Sequence, residues 1–191
     1  MARPLSVTDE QILEATQAVL FEAGSNGLTI SAIARRLGVS RAAISQRMGS
    51  LDDIKRLLMD RLAAQYEAVL AQLSPEPGAA GLIAITELIG SMIKERERFT
   101  NFMFRYNVNI DDPILRGLEE RRGQALRELI AQAMPETALP KPDAVDAFMA
   151  QMTGSMINWQ ASQHPNAAAF LRERTVNWIR LAGIPFDGAE Q

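Results

Sequence analysis

The stretch Thr29 to Met48, TISAIARRLGVSRAAISQRM, combines residue types and spacing that suit the recognition of a polyanion. Ile30, Ile33, Ala34 and Leu37 recur at helical spacing behind Thr29, which is placed to cap a first short helix. Gly38 permits the positive φ of a sharp turn, Val39 plugs the corner, and Ser40 caps a second helix whose Ile44 and Met48 pack back against the first. Arg41, Ala42, Ala43, Ser45, Gln46 and Arg47 are left facing outward. Small alanines let a backbone approach the major groove of double-stranded DNA. Arg41 is suited to a bidentate contact with guanine and Gln46 to adenine. Ser45, Arg47 and the N–H groups at the Thr29 helix start are suited to phosphates. Inward packing alone would explain the apolar residues and leave this polar outer face without a reason.

The elements that must position this motif are all helices, because apolar residues recur at three- and four-residue spacing and no segment alternates with period two. A first helix is expected behind the cap Thr8, from about Asp9 to Ala23, ending at Gly24-Ser25-Asn26-Gly27. Ser50 with Asp53 predicts a capping box that opens a long helix to about Leu73, closed by Ser74-Pro75-Glu76-Pro77-Gly78. Further helices are expected near 79–96, 98–106, 113–134, 144–163 and 166–182, with Pro135, Pro140, Pro142 and Pro165 between periodic segments. The chain thus reads as an all-α protein: a three-helix DNA-binding head, 1–50, and a larger helical regulatory and dimerisation body, 51–191.

At this point the head resembles the TetR family of helix-turn-helix regulators, whose motif runs T-(S/T)-(V/I)-x-x-I-A-x-x-A-G-V-S-x-G-x-L-Y-x-H-F-x-S-K-E-x-L. Residues 11–58 carry the likeness, keeping Thr29, Ile33, Ala34, Gly38, Val39, Ser40, Ser50 and the acidic Asp53, with Ile44 in place of leucine. The family's tyrosine is Ser45 here, its phenylalanine Met48 and its phosphate-contacting lysine Leu51. Arg47, Lys55 and Arg56 stand as replacements for that charge. The resemblance implies a homodimer on a pseudo-palindromic operator, held through an intersubunit four-helix bundle, with a small-molecule effector bound in the body.

The body has residues that suit both roles. From Val145 to Ala161 a bulky stripe of Val145, Met149, Met152, Met156 and Trp159 runs opposite a small one of Ala147, Ala150, Gly154, Ile157 and Ala161. A helix buried on two sides is interior or shared, so Ala147, Ala150, Gly154 and Ala161, with Leu171 and Trp178 from the next helix, are expected at a homodimer interface. Met92, Phe102, Met103 and Tyr106 are expected to meet Met149, Met152, Met156 and Trp159 around a mainly apolar ligand, since methionines adapt to irregular space. Arg105, Gln151 and Asn158 are candidate polar anchors. Ordinary core packing accounts for the same side chains, and the resemblance tips the balance toward a pocket.

Composition excludes other classes. With no cysteine and one histidine, disulfides, thiolate nucleophiles and multi-His metal sites are ruled out, and a reducing cytoplasm fits. No metal or other cofactor is expected. The start of the chain lacks an apolar secretion segment, and the longest apolar run, Gly78 to Ile85, is too short to span a membrane. The formal charge of −3 is unevenly spread, with Arg35, Arg36, Arg41, Arg47, Lys55, Arg56 and Arg61 clustered around the motif. No G-x-S-x-G elbow, P-loop or dinucleotide fingerprint is present, and His164 before Pro165 is placed to cap a helix end, so an enzyme is not expected. The expected function is a cytoplasmic, sequence-specific regulator, nucleoid-associated on DNA and a repressor released by its ligand. The alternative is a module of the same fold that binds DNA without sequence choice, or another protein, with no effector.

Overall fold

The structure, a computed structural model, describes residues 7–93, Arg96 and 112–186. Eight helices and no strand occur among them: α1 Asp9–Gly27, α2 Ile30–Leu37, α3 Arg41–Met48, α4 Leu51–Leu70, α5 Ala79–Ser91, α6 Pro113–Ala133, α7 Lys141–Ala161 and α8 Ala167–Leu181. The expected helix at 98–106 lies outside the described residues, and with it Phe102, Met103, Arg105 and Tyr106. Two compact units divide the chain, Met1–Gln65 with Glu97–Arg121 and Tyr66–Arg96 with Arg122–Gln191. The boundary between the two units falls inside α4, after Gln65.

Local signals start the helices of the first unit. Thr8 and Gln11 form a reciprocal capping box at α1, the Gln11 N–H donating to Thr8 Oγ1 at 3.2 Å and the Thr8 N–H to Gln11 Oε1 at 2.9 Å. Ser50 and Asp53 do the same at α4, at 2.9 and 3.2 Å. The first helix outlasts its expected stop: Gly24 breaks the helical path at φ +70°, and the chain still turns on to Gly27 before Leu28 is buried. One core binds the unit, with Ile12 from α1, Ile33 from α2, Ile44 from α3 and Ile54 and Leu58 from α4 joined by Leu115 and Leu118 of α6.

The second unit packs α8 against α5 and α7. Its core is built on Leu82 and Ile85 of α5, Ile130 of α6, Phe148 and Met152 of α7, and Ile179 of α8. Thr86 and Thr175 share a buried hydrogen bond at 3.0 Å, so the polar groups between α5 and α8 satisfy each other. Pro142, expected in a loop, is the second residue of α7, where its missing N–H has no carbonyl to lose. At Gly90 α5 lies so close to α8 that a Cβ there would fall on the backbone of Ala168.

Gly90→Ala should therefore lower unfolding stability by about 1–3 kcal/mol through overpacking. Gly123→Ala, in α6 with open space around its Cβ position, should raise stability by about 0.5–1 kcal/mol. Urea unfolding of the two variants separates the effects; equal shifts would mean that α5 and α8 can part at no cost.

Candidate nucleic-acid interface

The α2–α3 corner is held from inside. Ile33 and Ala34 on α2 and Ile44 and Met48 on α3 are buried, and Gly38 closes α2 in the left-handed region at φ +67°. Thr29 and Ser40 each cap their helix, accepting from the Ala32 N–H and the Ala43 N–H at 3.1 Å. With one side of α3 buried, the opposite side is presented. Arg41, Ala42, Ala43, Ser45, Gln46 and Arg47 are all exposed, as are Thr29 and Ser40. All eight residues expected to face DNA are thus solvent-exposed on the first unit.

Electrostatics divides that set. Arg47 Nε pairs with Asp9 Oδ1 in the first turn of α1, and Arg36 pairs with Glu22 at 2.8 Å. Arg61 reaches Glu10 at 2.7 Å, and Arg56 reaches Asp53 at 3.3 Å. Lys55 cannot replace the family's phosphate-contacting lysine as it stands: its side chain is only 13% exposed and donates to Asp112 at 2.7 Å. Among the described residues, Arg35 and Arg41 of the basic cluster carry no ion pair. A cleft of about 260 Å³ is lined by Val7, Ile12, Val39, Ala43, Ile44, Gln46 and Arg47. Sequence inspection missed Asp9 and Asp112 as partners, because they stand 38 and 57 positions from the cations they hold and no local pattern links them.

In the second unit, Met152 and Trp159 are buried and Met149 and Met156 pack against the core, while Met92 is 39% exposed at the end of α5. Trp159 is covered by Arg96, whose guanidinium lies 4.0 Å from the ring centroid. That guanidinium also donates to the carbonyls of Trp159, Gln160, Ser162 and His164, so Arg96, and not His164, caps the end of α7. His164 instead bonds Asn166 O through Nδ1 at 2.8 Å. Gln151 Nε2 donates to Ser155 Oγ at 3.1 Å, while its Oε1 is buried without a hydrogen-bond partner among the described residues. Asn158 is exposed.

The small stripe of α7 is uncovered in the single chain. Ala150 and Ala161 are exposed, Ile157 is 51% exposed, Ala147 and Gly154 are half-buried, and nothing lies within 4 Å of a Cβ built on Gly154. On α8, Leu171 differs from the expected placement: it has no exposed surface and is enclosed by its own chain. Trp178 is half-buried, its ring edge-on to Phe148 at 5.0 Å. Among the described residues no His, Cys, Asp and Glu cluster fit for a metal occurs, and no helix is long and apolar enough to cross a membrane.

This head and body have counterparts among known proteins. Residues 12–54 match the family of bacterial regulatory proteins of the tetR type, and the fold of the chain is similar to that of solved transcriptional regulators. A transcriptional regulator from Rhodococcus sp. Rha1 superposes with a TM-score of 0.74 at 18% identity, over 95% of this chain and all of that one. A TetR transcription regulator from Haloarcula marismortui gives 0.68 at 16% identity, over 93% and 98%. The multidrug binding protein EbrR, solved with malachite green, gives 0.66 at 16% identity, also over 93% and 98%. At such identities the likeness defines the fold. No match in sequence was found among curated proteins.

The Lys55–Asp112 pair makes the first unit sensitive to acid. Burial disfavours the Asp112 carboxylate, but the Lys55 ammonium and the N–H groups of Ile114 and Leu115 outweigh it, so its carboxyl titrates below the usual 3.8. A lowered folded pKa contributes stability that is present above the unfolded value and lost as pH falls through the folded one. Asp112→Asn should therefore cost on the order of 1 kcal/mol at neutral pH, with the deficit shrinking below about pH 4. Thermal melts across pH test this; a deficit that grows on acidification would contradict it.

Proposed function

We propose that this protein is a ligand-responsive transcriptional repressor that binds a pseudo-palindromic operator as a homodimer. The observation that carries it is the exposed face of α3, where Arg41, Ser45 and Gln46 stand beside two alanines on a helix capped by Ser40. Two-fold symmetry would set two such helices about 34 Å apart, one turn of B-DNA. The regulatory family supports a cytoplasmic DNA binder without enzymatic activity. On this reading residues 1–50 bind DNA and 51–191 regulate and dimerise. The rival is sequence-blind DNA binding, or protein binding, through the same head.

Binding to a selected operator and to scrambled DNA at matched salt tests the choice. The operator should win by about a thousandfold or more, and a flat ratio favours the rival. Arg41→Ala should cost roughly 1–3 kcal/mol at one base position per half-site. Unchanged base preferences in that variant would remove Arg41 from the reading face.

The homodimer is assigned to the bared small stripe of α7, Ala147, Ala150, Gly154 and Ala161, with Trp178 on α8. Leu171 then supports that surface from beneath. Gly154→Leu should disrupt the association, because the side chain has room in one chain but would stand between two. Sedimentation mass unchanged down to dilute protein would place the interface elsewhere.

The effector is assigned to the second unit, beside Met92, Met149, Met152, Met156 and Trp159; Phe102, Met103 and Tyr106, expected with them, lie outside the described residues. EbrR with malachite green supports ligand binding on this fold, and the unpartnered Gln151 carbonyl supports one polar handle on an otherwise apolar ligand. α4 has residues in both units, as does α6, so a change of packing in the second can be carried along continuous helices. A coupling of about 1–3 kcal/mol would lower operator affinity roughly five- to 150-fold. Operator affinity unchanged across a broad panel of apolar ligands would remove the effector from this account.

A further inference from the structure

The acid that holds Arg47 stands where a DNA phosphate would be welcome. The first turn of a helix gathers unpaired N–H groups and the positive end of its dipole, and so favours an anion. Asp9 is the first residue of α1, and a guanidinium from the last turn of α3 reaches the same place. Helix end and arginine together make an anion site, and the chain fills it with its own carboxylate. Glu10, the other acid of that turn, is engaged with Arg61, so the arrangement singles out Asp9.

Both partners are open to solvent, Arg47 at 46% and Asp9 at 63%. Exposed ion pairs contribute little net stability and exchange readily. A cleft shared with Val39, Ala43 and Gln46 opens beside the Arg47 side chain.

We propose that Asp9 is an intramolecular stand-in for a DNA phosphate, holding Arg47 so that this side chain adds little to DNA affinity until the carboxylate is displaced. The proposal rests on the DNA-binding function above and concerns how strongly the head is drawn to any duplex. Affinity for phosphates grows with the number of cations that neutralise them. A guanidinium already neutralised by its own chain contributes less than a bare one. Arg41 and Gln46, assigned to the bases in the function proposed above, are untouched by this restraint, so affinity is left to depend on base contacts.

The test measures binding of a labelled random-sequence duplex to the full-length protein across a salt series, with circular dichroism to verify folding. Four variants are compared with the unaltered protein: Asp9→Asn, Glu14→Gln, Arg47→Ala, and Asp9→Asn combined with Arg47→Ala. Glu14 is exposed on the same helix, has no ion pair among the described residues, and its variant removes the same charge. Asp9→Asn should tighten binding at all sequences and steepen the dependence of log K on log salt by up to about 0.9 per protomer. Glu14→Gln should do distinctly less. Without Arg47, the Asp9 change should shrink to the Glu14 level.

An Asp9→Asn effect that matches Glu14→Gln, or that survives intact without Arg47, overturns the proposal, because Asp9 would then act as general negative charge. If no variant binds duplex at the lowest salt, Asp9→Asn included, the DNA-binding function itself falls and takes the proposal with it. Binding that ignores Asp9 overturns the proposal alone.

Discussion

Burial of Ile33 and Ala34 against Ile44 and Met48, across a turn that only a positive φ at Gly38 allows, governs the first unit. Two eight-residue helices are too short to be stable alone, so their conformation comes from this contact and from Thr29 and Ser40 at their starts. A short helix buried along one side has its other side determined as well. Arg41, Ser45 and Gln46 are outward because Ile44 and Met48 are inward, and the same packing that stabilises the head aims its polar face.

Charge in the head is arranged for economy. A protein with a formal charge of −3 can approach DNA only through local positive regions, and here most of the basic cluster is already engaged with carboxylates. These ties join elements as well as cancel charge: α1 holds α2 through Glu22, α3 through Asp9 and α4 through Glu10. Their exposed members are weak springs. The Lys55–Asp112 pair is more enclosed and joins α4 to the start of α6. Among the described residues of the cluster, Arg35 and Arg41 are left outside these ion pairs.

The second unit is organised by close approach. Gly90 lets α5 lie against α8, and the Thr86–Thr175 hydrogen bond satisfies the polar groups sealed between them. α7 meets the core with Phe148 and Met152, is closed at its end by Arg96, and leaves its small-residue side bare. A bare stripe of small residues on an otherwise well-packed helix suits another helix laid against it.

Features settled within a few residues are legible in the chain directly. The caps at Thr8, Thr29, Ser40 and Ser50 were legible because each hydroxyl answers an N–H three positions away. The outward set of α3 was legible because helical periodicity separates it from Ile44 and Met48. The tertiary structure alone decided which charges meet and which apolar faces close. Arg47 was read as a free phosphate contact and proved to be held by Asp9, Lys55 proved to be enclosed with Asp112, Leu171 was turned inward, and the cap of α7 passed from His164 to Arg96. Those partners lie tens of residues apart, and their pairing depends on how helices pack, which local spacing does not encode.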